Sequence, residues 1–455
     1  MKNKKLRIFL VSAALCGATS ISAMAATGWQ QVNENGTLRY VYYNSYGDLE
    51  RSAWVRGSSD NEWRWLNADG YMAVNSLVDD GQYCVDENGR MVVNQWRQVN
   101  IDGELKWMYF SSNGKAVTDG WKQISGAYYY FNDDGVMQTG WVDDNRYYCA
   151  ENGVMKTGWQ FILPPDEYEE DNNGPQTSGS DGKYWFYFQD SGKVVRAEDS
   201  DDYVEKRIGD ARYCFDEDGI MQTGWVKLYD DRDPAITGYR FCADSENISG
   251  HKYGEMLTAT WWSAEAPDDD DFDSADVNWY YLGRAGEPLA GEITDDGKGN
   301  QLFTEGLERI DGKVYLFNNV GNPVSGLRKV KTSSGNKSMY FGENAPEPAQ
   351  KGTQRIDDGV GNKETFEFSS SGYGYDGVHD GKLYYMGRLQ KATEGSRAFI
   401  RVNGEVYLVN SSGSILKNKE YKSDGEIEYK SDSSGRRSGG YGDILDAEEP
   451  EYTVD

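Results

Sequence analysis

The densest chemical feature of the sequence is aromatic: residues 120–141 read GWKQISGAYYYFNDDGVMQTGW, and the phrase restarts at once as GWVDDNRYYCAENGVMKTGW, ending at Trp159. Rings at this density can box a quaternary ammonium group, at roughly 0.5–2 kcal/mol per ring, or stack against the face of a sugar. They can also pack only against one another, since each buries a large apolar area. Acid–base and nucleophilic chemistry has less to draw on. The two histidines, His251 and His379, stand far apart in sequence, so a His-based triad or a His/Cys metal site lacks a second member. No Gly-x-Ser-x-Gly elbow and no phosphate loop occur. Among 75 acidic residues some carboxylates must lie close together, but exposed acidic loops account for them without a glycosidase pair. The expectation is binding without catalysis, with no cofactor and no metal.

The elements that position these rings recur. Aromatic strands followed by a polar turn and glycine end at Gly47, Gly70, Gly89, Gly114, Gly135, Gly153, Gly192, Gly219 and Gly286. Between them stand Gly120-Trp121, Gly140-Trp141, Gly158-Trp159 and Gly224-Trp225, with Ala53-Trp54 and Gln95-Trp96 as variants. The unit returns about every twenty residues. Within one unit, Trp121–Ile124 and Tyr128–Phe131 read as strands joined by a Ser125-Gly126 hairpin turn, and Asn132–Gly135 reverses the chain. A lone two-stranded hairpin is marginal in water, so its aromatic face must be covered by the next one. The fold class that follows is all-β: a superhelical solenoid of stacked β-hairpins. The composition, with 33 Tyr, 14 Trp, 53 Gly and only 10 Pro, suits many short strands and turns better than one aliphatic core.

These phrases resemble the cell-wall-binding (choline-binding type) repeats of secreted Gram-positive proteins, and residues 120–159 carry the likeness almost throughout. Residues 310–326, IDGKVYLFNNVGNPVSG, are similar to the related repeats that end large clostridial toxins and some glucosyltransferases. The resemblance implies clefts built from the Trp of Gly-Trp, the first ring of the aromatic strand, a ring of the adjoining hairpin and a methionine. On this chain it implies ligand-binding roles for Trp107, Trp121 and Tyr128, with Trp141 and Met137 as a further wall, and for Tyr40, Trp54 and Trp63. Gln82, Arg146 and Arg212 stand at the first-ring position of other units. An arginine there repels a choline cation but can hydrogen-bond a phosphate or a sugar hydroxyl. The implied partner is therefore cell-wall polysaccharide or teichoic acid, with choline as one candidate head group. The alternative is a surface adhesin or structural protein whose rings are core and whose partner is a host or neighbouring cell.

The rest of the chain frames this reading. Residues 1–26 carry Lys2, Lys4, Lys5 and Arg7, an apolar run and Ala23-Met24-Ala25, the anatomy of a secretory signal peptide. Leu15 before Cys16 argues against lipidation, and the C-terminal AEEPEYTVD shows no wall-sorting signal. No later stretch approaches the roughly 18 apolar residues of a membrane helix. The expected location is extracellular, at the cell wall. A net charge of −28 argues against nucleic acid as a partner. Acidic runs at 166–173 and 267–276 lack the spacing of a calcium loop and read as solvated loops. Cys84, Cys149, Cys214 and Cys242 read as buried thiols, and only Cys214 and Cys242 lie in neighbouring units where a disulfide is geometrically open. All 14 Trp fall between Trp29 and Trp279, which divides the chain into Trp-rich repeats over 27–290, Trp-free divergent repeats over 291–418 and an acidic tail over 419–455. The tail and the Ser/Gly-rich stretch 369–377 read as disordered or loose.

Overall fold

The structure, a computed structural model, describes residues 27–166, 181–198, 202–245, 250–269, 272, 277–357 and 362–454. It is all-β apart from one 3-10 turn, Ala235–Gly238. The chain divides into two units, residues 1–158 with 188–194, and residues 159–187 with 195–455. The signal-peptide reading and most of the 166–173 acidic run fall outside the described residues.

Among the described residues ten successive hairpins carry the repeat, and an eleventh follows after an intervening strand pair at 293–303. The first pairs Gly28–Glu34 with Thr37–Tyr43, the second Ala53–Arg56 with Trp63–Leu66, and the third Ser76–Val78 with Tyr83–Val85. The fourth pairs Gln95–Ile101 with Glu104–Phe110, the fifth Gly120–Ile124 with Ala127–Phe131, and the sixth Gly140–Val142 with Tyr147–Cys149. The seventh consists of Gly158–Ile162 and Tyr184–Phe188, the eighth of Tyr203–Ile208 and Ala211–Asp216. Gly224–Lys227 with Tyr239–Cys242, Thr260–Ala264 with Asn278–Leu282, and Leu307–Ile310 with Lys313–Leu316 complete the series.

The local signals behave as their chemistry requires. Ser125 and Gly126 both adopt positive φ, +52° and +88°, the two-residue turn whose twist matches the flanking strands. Asn132 then closes the reversing turn: its Oδ1 accepts the Val136 N–H at 2.7 Å, and its carbonyl accepts the Gly135 N–H at 3.0 Å. The residue after each such turn ties its hairpin to the one before. The N–H of Met72 donates to the Tyr40 carbonyl, Met91 to Trp63, Ala116 to Gln82, Met137 to Trp107 and Met155 to Tyr128, at 2.8–3.0 Å. Within the second unit Met221 donates to Trp185 and Met256 to Arg212. The methionine side chain then runs beneath the glycine of the following turn. A Cβ on Gly153, which sits at φ +79°, would lie 2.2 Å from the Met137 sulfur. Stacking therefore fixes two things at once, a main-chain bond and a glycine that cannot carry a side chain.

Past residue 290 the architecture changes. Ile293–Asp295, Gln301–Phe303, Leu327–Thr332 and Gly335–Tyr340 form one four-stranded sheet, in which Leu302 and Phe303 run parallel to Lys329 and Val330. A five-stranded sheet covers Gly352–Leu389. The Ser/Gly stretch at 369–377 is ordered: Ser369 and Gly372 make the repeat's reversing turn, and Gly374 donates to the Ser338 carbonyl.

The tail expectation is corrected as well. Glu420–Ser423, Glu426–Ser431 and Arg437–Gly439 form a three-stranded sheet, and Ile444–Asp446 adds in parallel to Arg397–Val402. Thr453 then returns to the four-stranded sheet: its N–H donates to the Leu327 carbonyl at 2.9 Å, and its carbonyl accepts from Arg328 Nη1 at 3.0 Å. Composition misled because the acids that look solvated find distant cations. Glu449 binds Lys329 at 2.7 Å, and the same ammonium binds the buried Asp296 at 2.6 Å.

Candidate functional site

Each aromatic strand ends in a four-residue phrase, as in Tyr128-Tyr129-Tyr130-Phe131. The fourth side chain is core: Phe110, Phe131, Phe188 and Phe215 are fully buried. The first is not. Tyr40, Trp63, Trp107, Tyr128, Trp185 and Trp279, all at the first position, are each between 37 % and 45 % exposed. Alternation along a strand sends these rings to the surface while the side chains one and three residues on, such as Met108 and Phe110 or Phe186 and Phe188, pack inward.

Four side chains from two successive hairpins meet at this surface. Between the fourth and fifth hairpins, Trp96 stands perpendicular to Trp107, with centroids 6.4 Å apart at 88°, and meets Tyr129 of the next hairpin at 4.8 Å. Met137, bonded to the Trp107 carbonyl, completes the group. Between the seventh and eighth, Trp159 meets Trp185 at 6.2 Å and 86° and Tyr213 at 4.8 Å, with Met221 in Met137's place. Here a cavity of about 440 Å³ is also lined by His251, Lys252 and Tyr253. Between the fifth and sixth, Trp121 meets Tyr147 at 5.0 Å, and Met155 is bonded to Tyr128. The second and third hairpins bring Trp54, Trp63, Tyr83 and Met91 around about 350 Å³.

The residues singled out from sequence thus divide among several clefts. Trp107 and Met137 share one, Trp121 and Tyr128 the next, and Trp54 and Trp63 a third. Trp141 packs on Tyr148 and Phe188, and the first position of its hairpin is Arg146. Tyr40 lines a separate cavity with Trp29 and Met72. Sequence reasoning missed Trp96, Tyr129, Tyr147 and the whole Trp159–Trp185–Tyr213–Met221 group. The signal that could have found them is the register between hairpins, in which each methionine belongs to the first ring of the hairpin before it.

The clefts differ electrostatically. The Trp121 indole N–H donates to Asp143 at 3.4 Å, and that of Trp54 to Asp79 at 3.2 Å. Burial, and then the charges of Asp143, Asp144 and Asp119, push the Tyr130 phenol above its ordinary range, so negative charge surrounds this cleft and favours a cation there. In the Trp54 cleft, by contrast, the protein supplies its own cations: the Arg56 guanidinium lies 4.7 Å from the centre of Trp63, and Lys115 6.0 Å from that of Tyr83.

One cleft is plugged. Between the ninth and tenth hairpins, Trp225 meets Tyr280 at 5.0 Å, yet the first ring, Tyr239, is buried. Its hydroxyl donates to Asp269, which also binds Lys227 at 2.9 Å, and Phe272 packs on its ring at 5.6 Å. Asp269 comes from the 267–276 run, so this part of the run is a bonded insert and not the solvated loop expected.

The cysteines match their reading. Cys84, Cys149, Cys214 and Cys242 are buried free thiols, and Cys214 and Cys242 share one apolar cluster with Val226 and Met256. Burial pushes the Cys84 and Cys149 thiols up to about 11, which leaves them unreactive as nucleophiles. Among the described residues no group of three or more His, Cys, Asp or Glu is placed to hold a metal ion, and no helix is long and apolar enough to cross a membrane.

Residues 117–159 and residues 48–90 each match a choline-binding repeat family. The chain is similar to glucosyltransferase-S of Streptococcus mutans serotype c, 25% identical over 312 residues, which are 64% of this chain and 18% of that protein. It is 26% identical to glucosyltransferase-S of Streptococcus downei over 109 residues, 24% of this chain and 8% of the relative. The chain thus spans less than a fifth of the length of these curated relatives. Among solved structures, the modular autolysin LytC from Streptococcus pneumoniae aligns at 19% identity and a TM-score of 0.37, covering 66% of this chain and 53% of that one. Choline binding protein F from Streptococcus pneumoniae aligns at 20% identity and a TM-score of 0.34, covering 76% and 99%. The hairpins at 48–90 and 117–159 thus match choline-binding repeats.

Proposed function

We propose that this protein binds cell-wall glycopolymer outside the membrane, seating quaternary ammonium groups of choline between successive hairpins. The binding is proposed to involve no chemistry on the polymer. The observation that carries this reading is the repeated pairing of an exposed first ring with a half-buried Trp, a Tyr of the next hairpin and a Met. Aromatic faces around a small opening, with carboxylates nearby, suit a diffuse cation that carries no hydrogen-bond donor. The clefts closed by Trp107, Tyr128 and Trp185 have no side-chain cation of the protein over their rings among the described contacts. Each cleft would bind weakly alone, at roughly 0.5–2 kcal/mol per ring, and several together would hold a polymer by avidity.

The test is retention of the protein on purified Gram-positive walls with and without millimolar choline. Variants should remove first rings, because the Gly-Trp tryptophans are also core: Trp96 stacks on Phe131 at 5.7 Å and 24°, and Trp159 on Phe215 at 5.9 Å and 28°. Release by choline, weakened in Trp107→Ala and Trp185→Ala, supports the reading. Retention indifferent to choline and to both variants refutes it.

A further inference from the structure

The first cleft of the ladder is chemically unlike those that follow. Trp29 and Tyr40 occupy the usual Trp and first-ring places, and Met72 is bonded to the Tyr40 carbonyl at 2.8 Å. The fourth place, held by Tyr83, Tyr129, Tyr147 or Tyr213 elsewhere, is Arg64. The cavity measures about 730 Å³, and the charged side chains lining it are Arg39, Arg64 and Arg90 against the single carboxylate of Glu87. On a chain of net charge −28, three guanidiniums line one aromatic cleft, and the carboxylates that pair with them, Asp60 and Glu34, are not among the residues lining it.

The cluster is built, not incidental. Arg64, only 14% exposed, makes two parallel bonds to Asp60, Nη1 to Oδ1 at 2.9 Å and Nη2 to Oδ2 at 2.6 Å. The same carboxylate faces Arg90 at 3.3 Å, so one acid serves two guanidiniums. The Arg64 guanidinium holds the Asp60 carboxyl well below the usual carboxylate range. Gly57 lines the cavity because a Cβ there would lie 2.2 Å from both Arg64 Nη1 and Asp60 Oδ1. Arg39 is bonded to Glu34 through Nε at 2.9 Å and lies 4.7 Å from the centre of Tyr71.

We propose that this cleft is a site for an anionic sugar. One face of the pyranose ring stacks on Tyr40 and Trp29, and its carboxylate or phosphate is bonded by the planar guanidiniums of Arg90 and Arg39, with Arg64 fixed behind them by Asp60. Guanidinium geometry matches both anions in bidentate fashion. A quaternary ammonium would meet guanidinium donors here in place of the fourth ring. The inference rests on the reading of the protein as a wall binder, but uses different residues and a ligand of opposite charge. The ladder would then read two features of one polymer, cationic substituents and acidic sugar units.

The shared chemistry, a pyranose beside an anion, has two sources in a wall: the carboxylate of muramic acid units, and the phosphodiesters of a teichoic-type polymer. Titration calorimetry on the full chain in saturating choline, using N-acetylglucosamine–N-acetylmuramic acid oligosaccharides, choline-free teichoic acid and neutral N-acetylglucosamine oligomers, separates them. The expected result is binding of one or both anionic probes, about tenfold or more weaker for the neutral oligomer. Arg90→Gln and Tyr40→Ala should each weaken the anionic probe by about tenfold with unchanged thermal unfolding, since both side chains are substantially exposed. Equal affinity for the neutral oligomer, no binding of either anionic probe, or insensitivity to both variants overturns the proposal. Wall retention that choline releases while the anionic probes fail sinks this inference alone. Anionic binding without choline-releasable retention sinks the cage reading and leaves this one standing.

Discussion

The Trp-rich ladder over residues 27–290 and the Trp-free region over 291–454 are made of the same hairpins but held together differently. In the ladder each hairpin is a two-stranded sheet fixed by contacts to its sequence neighbours: typically one main-chain bond, a methionine beneath a glycine, and edge-to-face rings. In the later region strands join into sheets of three to five, two of them with parallel pairings, and the end of the chain returns to Leu327 and Lys329. The lesson concerns range. Ladder stability is a sum of local terms, while the later region depends on contacts between residues more than a hundred positions apart.

Breaking that contrast is most direct at Lys329. Its side chain is 3% exposed, and although burial works against its charge, Asp296 and Glu449 hold the ammonium above its ordinary range. Lys329→Met should cost about 3–5 kcal/mol by leaving carboxylates without their cation. Hydrogen exchange should show the loss across 291–454 and spare the fourth and fifth hairpins; equal loss in both would refute the contrast.

Asp216, in the eighth hairpin's turn, tests whether a ladder term can depend on pH. Burial raises its carboxyl to about 7, against the bonds it accepts from Ile220, Asp218 and Gln222. A raised folded-state value means that stability is fully present below about pH 4 and is lost as pH rises to about 7, by up to about 4 kcal/mol. Asp216→Asn should flatten this slope, because Asn67 and Asn132 make the same turn in other hairpins. Denaturant midpoints from pH 4 to 8 decide it, and an unchanged slope in the variant would show that Asp216 is not the source.

Smaller effects sharpen the local side of the comparison. Gly153→Ala should cost about 2 kcal/mol from positive φ and overpacking, and Met137→Ala should relieve part of it in the double variant. Strict additivity would mean that the methionine and glycine are not coupled. Trp107→Ala should lower wall retention severalfold, about 1 kcal/mol, with a melting temperature near that of the parent; a collapse of stability would place this ring in the core.

The repeat, its hairpin turns and the first rings were legible because each is set within a few residues, as Ser125-Gly126 and Asn132 show. Which rings share a cleft was not, because Met137 belongs with Trp107 and not with Trp141 only through the bond between hairpins. Arg64 in the first cleft was hidden for the same reason. The tail was misjudged because charge composition carries no information on partners: Glu449 looks solvated until Lys329, 120 positions earlier, is placed beside it.

The last hairpin of the ladder and the repeat hairpin that follows it at 307–316 lack the amide that ties the second to ninth hairpins. Pro288 and Pro323 stand where the methionine stands, bridging to Leu282 and Phe317 as Met137 bridges to Phe131. Proline has no N–H to give. The carbonyls left over are taken by side chains: Arg240 Nη1 donates to Tyr239 of its own strand at 2.6 Å, and Asn322 Nδ2 reaches back to Trp279 of the preceding hairpin at 3.3 Å. This makes a mechanical seam. Tension that peels hairpins one at a time meets main-chain clasps at the methionine positions of the ladder, whereas at Pro288 that clasp is missing and at Pro323 the Asn322 side chain, free to swing on its own rotamers, stands in for it. The first rupture under load belongs at residues 288–323, ahead of the region that closes on itself.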